Sequence, residues 1–117
     1  MDRQRFVVDR RFWAGDGRQR DFEAVFAAAG IWQELAVQAG IIRTEFWCES
    51  AVERRYRVRD FWTTHLEFET FREGFALEYR KFEQMLLAEG VVERQEIVGA
   101  YYVNEGNDGD LAVPAES

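Results

Sequence analysis

Six side chains, Phe68, Phe71, Phe75, Tyr79, Phe82 and Leu86, recur every three or four residues between His65 and Glu89. That spacing predicts one long helix with a single aromatic stripe. Thr64 followed three residues later by Glu67 is a capping-box pattern at its start, and Gly90 is the expected stop. Such a stripe has to be laid against another layer of structure. Leu66 and Leu77 fall nearly opposite it, where single exposed apolar residues are normal and an interface role stays open.

The flanking segments supply that second layer. "RFVVDRRFW", Arg5 to Trp13, reads as a strand that stops at the turn-rich "AGDG". Phe22, Val25, Phe26 and Ala29 form one helical stripe that ends or kinks at Gly30. "IWQELAVQAG", with Ile31, Trp32, Leu35 and Ala39 near one another, either continues that helix or forms a second one. "IIRTEFWCES" alternates, with Ile42, Thr44, Phe46 and Cys48 on one side and Arg43, Glu45, Trp47 and Glu49 on the other. "RRYRVRDFW" sets Tyr56, Val58, Asp60 and Trp62 against Arg55, Arg57, Arg59 and Phe61; the short loop from Ser50 to Glu53 makes these two strands an antiparallel hairpin. "VVERQEIVGAYYV" is a last strand, with Gly99 a candidate bulge or point of close backbone approach.

The order β-α-β-β-α-β is an α+β, ferredoxin-like arrangement: an antiparallel sheet with helices on one face. One domain is expected over residues 1–103, followed by an acidic tail, 104–117, that holds the only proline and is predicted to be disordered. Helices on one side leave the other sheet face to be explained. It carries Trp47, Phe61 and Tyr101 among Arg43, Glu45, Arg57, Arg59 and Glu93. The mixture is too aromatic for an idle solvent face and too charged for a dry core, which suits a dimer interface, the wall of a polar cavity, or both.

Composition narrows the partners. With 22 acidic residues against 15 basic ones, the formal charge of -7 argues against nucleic acid and anionic membranes. The hairpin "RRYRVRDFW" has the arginines and rings of an RNA-stacking sheet but lacks the glycine-bearing signature of that motif. There is no basic-then-apolar leader and no apolar run near the ~20 residues of a membrane span, so a cytoplasmic location is expected. Cys48 is the one cysteine, cannot form an internal disulfide, and lies on the apolar side of its strand, which predicts a buried, inert thiol. One His and one Cys do not make a metal cluster, and the acidic residues of the long helix read as surface pairs, Glu69 with Arg72 and Arg80 with Glu83.

The stretch "FWTTHLEFETFREGF", joining the third strand to the long helix, is similar to the dimeric α+β barrel superfamily, especially antibiotic-biosynthesis monooxygenase-like domains. The matching positions are Trp62, Thr63, Thr64, Phe68, Phe71 and Arg72, and the resemblance covers Arg5 to Val103. It implies a homodimer whose two sheets pack face to face into a barrel, and a space between sheet and helices that can hold a small aromatic or hydrophobic ligand. It further implies functions ranging from cofactor-independent oxygenation, which needs no cofactor, through haem degradation to no activity at all. Haem degradation is disfavoured, because its Asn, Trp and His constellation is missing: asparagine occurs only at Asn104 and Asn107.

Cofactor-independent oxygenation needs a water-excluding pocket with an aromatic wall and a polar group for a phenolate. Candidate ligand-binding residues are Trp47, Trp62, Arg57, Arg59, Tyr101 and Glu45, with no metal ligands. Their competing reading is a set of cross-strand pairs, such as Glu45 with Arg57 or Arg59, that serves sheet and dimer packing alone. His65 is the candidate catalytic residue. It sits in the first turn of a helix, where the dipole disfavours an imidazolium and leaves a neutral base, or simply a surface residue without orienting partners.

Overall fold

The computed structural model describes residues 3–27 and 30–105. Strand β1 (Arg3–Ala14) is followed by helices α1 (Gln19–Phe26) and α2 (Ile31–Ala39), strands β2 (Arg43–Ser50) and β3 (Arg55–Trp62), helices α3 (His65–Gly74) and α4 (Ala76–Ala88), and strand β4 (Val92–Glu105). The sheet order is β2-β3-β1-β4 with every pairing antiparallel, the ferredoxin-like arrangement expected from the sequence. Strand β4 runs two residues past the expected domain boundary at Val103; residues 106–117, most of the expected tail, lie outside the described residues, as does Ala29.

Gly30 resolves the open question about the first helical segment. Its backbone is extended, with ψ 169°, and it caps a separate α2. A Cβ there would lie 2.3 Å from the carbonyl oxygen of Ala24, so only glycine lets the chain double back this closely.

The predicted single helix from His65 to Glu89 is instead two. Phe75, with φ -118° and ψ 19°, leaves helical geometry between α3 and α4. Gly74 has the weakest side-chain support for a helix and precedes the break. Hydrogen bonds from Phe75 N–H to Phe71 O and from Tyr79 N–H to Phe75 O, both 2.8 Å, carry the chain across the junction, and the rings of Phe71 and Phe75 stack at 5.5 Å. The N-cap half of the expected capping box is in place, since Thr64 Oγ1 accepts the N–H of Glu67 at 3.1 Å.

The helix-facing side of the sheet meets two apolar clusters. One joins Phe12, Tyr56 and Val58 to Phe22, Phe26, Trp32, Phe82 and Leu86; the other joins Phe6, Val8 and Trp62 to Phe71. A register shift in β4 between the partners of Asp9 and Arg10 leaves Val98 unpaired beside Gly99, which places the expected bulge next to that glycine. Cys48 is exposed, contrary to its predicted burial, because it sits near the end of the edge strand β2 and has a neighbouring strand on one side only.

Candidate functional site

Alternation along β1 and β3 brings Arg10 and Asp60 to the helix-facing side, where a solvated charge has no place. They satisfy each other: Arg10 Nη2 donates to Asp60 Oδ2 at 2.5 Å, and Arg10 Nη1 donates to the Tyr79 hydroxyl at 2.5 Å. The other oxygen of Asp60 accepts from Thr44 Oγ1 at 2.7 Å and from Trp32 Nε1 at 3.2 Å. One carboxylate thereby ties β1, β2, β3 and α2 together. The guanidinium lies 5.1 Å from the Trp32 ring centroid and 5.3 Å from that of Phe12. Burial works against its charge, but Tyr79, Asp60 and Glu83 outweigh burial and raise its pKa. Burial pushes the Tyr79 phenol up to about 12, with Glu83 and Asp60 adding to the rise and Arg10 opposing it.

This network is the floor of a cavity of about 440 Å³ between the sheet and the helices. Its walls are Val8, Trp32, Trp62, Phe68, Phe71 and Tyr79, and Arg72, Ala76, Glu96 and Ile97 stand nearer its mouth. Glu83, also in the lining, accepts from Gln95 Nε2 at 2.7 Å and is one of the carboxylates that help to raise the Tyr79 phenol. The site therefore offers flat apolar surface for rings and a charged, fully buried polar end.

Of the residues named from sequence, Trp62 lines this cavity and is 1 % exposed. Trp47, Glu45, Arg57, Arg59 and Tyr101 come together elsewhere, on the opposite sheet face. There Arg59 bonds Glu45 at 2.7 Å, Arg57 bonds Asp9 at 2.5 Å and Glu49 at 3.0 Å, and Tyr101 donates to Asp9 at 2.9 Å. Trp47 lies 5.6 Å from both Arg57 and Arg59. Phe61 on this face is 2 % exposed beneath the guanidinium of Arg43, 3.8 Å away. His65 borders neither group: its ring sits 4.7 Å from that of Phe6, its Nε2 is 3.2 Å from Glu69, and it is absent from the cavity lining. Sequence reasoning missed Arg10, Tyr79 and Trp32 as site residues and treated Asp60 only as a face marker. Opposite charges at inward positions of two strands are the signal that finds the first pair.

Among the described residues, no group of three or more His, Cys, Asp or Glu is placed to hold a metal ion, and no helix is long and apolar enough to cross a membrane.

No family model matches the sequence, and no curated protein matches it either. Solved structures do share the fold. A protein from Shewanella oneidensis is 19% identical with a TM-score of 0.62, covering 89% of this chain and 95% of its own. A dimeric ferredoxin-like protein from an uncultured marine organism is 12% identical at a TM-score of 0.61, covering 89% and 91%. A mutant of SnoaB, a cofactor-independent oxygenase from Streptomyces nogalater, is 21% identical at a TM-score of 0.60, covering 93% and 98%.

Proposed function

We propose that two copies of this chain pair through their outer sheet faces into a dimeric α+β barrel, and that each copy binds a small aromatic or hydrophobic molecule in the cavity between its sheet and helices. One observation carries the binding reading: the 440 Å³ space has aromatic walls and a buried Arg10–Asp60 floor, where a purely structural domain would close its core with side chains. The outer-face residues then belong to the interface. With Arg57 paired to Asp9 and Arg59 to Glu45 inside each chain, this face brings neutralised charges and the half-exposed ring of Trp47 to the twofold axis.

The reaction class that fits this site is cofactor-independent oxygenation of an aromatic compound with an activated methylene group. That methylene gives up two hydrogens, dioxygen supplies one oxygen atom to form a ketone, and the second oxygen leaves as water. Within the chain, the rings of Trp32, Trp62 and Phe71 hold the substrate away from bulk water.

The test is fluorescence titration with 2-naphthol, comparing the native chain with Ala76→Trp, which fills the cavity from its mouth. Saturable binding that weakens at least about tenfold in the variant supports the site. Absence of saturable binding to the native chain sinks it. Oxygen uptake with an aromatic ketone carrying an activated methylene, measured above the uncatalysed background, separates an enzyme from a binding protein.

A further inference from the structure

The inner walls of the cavity offer almost no open surface. Trp32 and Trp62 are 1 % exposed and Phe71 is 5 % exposed, whereas Arg72, Glu96 and Ile97 at the mouth are exposed. A molecule with a fused ring system reaches those inner walls only if one of them moves, because packed interiors do not deform continuously.

The attachments of α3 make it the wall that moves. Among the described residues, its one hydrogen bond to the sheet runs from His65 N–H to the Tyr102 hydroxyl at 3.0 Å. Its ion pairs, Glu69 with His65 and with Arg72, stay within the helix. What remains is ring against ring: Phe68 lies 5.6 Å from Phe6 and 5.5 Å from Trp62, and Phe71 lies 4.9 Å from Trp62. Such contacts are non-directional and can be given up together. Helix α4 is held differently, by directed bonds from Arg10 to the Tyr79 hydroxyl, from Gln95 to Glu83 and from Arg18 to the Glu89 carbonyl.

The two apolar clusters divide along the same line. Phe71 is the one buried residue of α3 and belongs to the smaller cluster, while Phe22, Trp32 and Phe82 of the other three helices belong to the larger. Both ends of α3 are breaks: Thr64 is extended, with φ -145° and ψ 167°, and Phe75 leaves helical geometry beside a Gly74 that has open space around it. A short helix between two breaks, covering only the smaller cluster, can open without the rest of the fold.

Resting on the ligand-binding reading above, we infer that α3 is the gate of the cavity. It lifts from Phe6 and Trp62 about the breaks at Thr64 and Phe75, admits a ligand to the inner walls and closes over it, while α4 and the larger cluster stay in place. The open form is a minor state, on the order of 0.1–10 % of molecules. The Tyr102 hydroxyl is the latch that His65 N–H engages when the gate is shut.

Native-state hydrogen exchange on the full chain without ligand gives the first readout. Amides of residues 69–74 should exchange at least about tenfold faster than those of residues 80–88, with a weaker dependence on urea, the mark of opening short of global unfolding. Tyr102→Phe keeps the ring, 5.3 Å from that of Phe6, and removes the latch. It should speed exchange in α3 about fivefold and leave α4 unchanged. Stopped-flow binding of 2-naphthol gives the second readout: the variant should raise association and dissociation rates together, about fivefold each, at nearly constant Kd. Equal exchange rates and equal urea slopes for α3 and α4, or a variant that changes the dissociation rate alone, overturn the gate and leave the cavity as a ligand site. Absence of saturable 2-naphthol binding removes the ligand reading and the gate with it.

Discussion

At the scale of single residues, Asp60 is where the fold and the site depend on the same atoms. It is the counter-charge of a fully buried guanidinium and the acceptor for Thr44 and Trp32. Asp60→Asn keeps the shape and removes the charge, which leaves Arg10 uncompensated. The expected loss is about 3–5 kcal/mol of unfolding free energy, read by urea denaturation. Acid should also weaken the molecule through Glu49, which Arg11, and then Arg57 and Arg55, hold down to about 2. Because that value is depressed, its contribution is complete above the ordinary carboxylate range and is lost as pH falls from about 4.5 towards 2. Tyr79 acts at the other end: its phenol is raised to about 12, so stability should decline as pH climbs from 10 to about 12, with absorbance at tyrosinate wavelengths reporting the late ionisation. Trp62 was legible from strand alternation beside a helix cap. Arg10 was not, because "DRR" presents three successive charges and only the partner across the sheet shows which of them turns inward.

At the scale of elements, the division of the aromatic helix at Phe75 lets the α3 rings cover Trp62 while the α4 rings reach Trp32 and Phe26. The stripe was visible in the sequence, but the break was not, since a period of three or four residues continues unchanged across Gly74. A Cβ at Gly74 would meet nothing within 4 Å. Gly74→Ala should therefore stabilise the chain by about 0.5–1 kcal/mol through helix propensity, seen as a higher Tm. A lower Tm would mean that the junction needs a conformation only glycine adopts. Thr64→Ala removes the acceptor for the Glu67 N–H and should cost about 1 kcal/mol. Charged outer-face pairs were legible wherever strand register is simple, as for Glu45 opposite Arg59. The position of the β4 shift was not, because a bulge is fixed by both strands together.

At the scale of the whole molecule, the outer sheet face and the helical surface make different predictions about association. Trp47 is 40 % exposed between two arginines, whereas Leu66 and Leu77 stand out on the helices. If the sheet faces pair, Trp47→Ala should weaken the dimer at least about tenfold by light scattering, and Leu66→Ser should leave it unchanged. The reverse result would move the interface to the helices. The element order predicted the sheet, but a cavity depends on how far two layers stand apart, and side-chain spacing along one chain does not encode that distance.

The central position of β1 has a further consequence for how such a chain is made. Its first strand is hydrogen-bonded along one edge to the last, with Arg3 opposite Glu105. During synthesis the N-terminal strand therefore leaves the ribosome long before one of its two neighbours exists. Until β4 emerges, the nascent sheet can hold only the β1–β3 and β2–β3 pairings, and β1 presents a bare edge to any other unfinished chain. Stalling or truncation ahead of Val92 should yield a chaperone-dependent product, while completion of the last strand closes the fold in a single cooperative step.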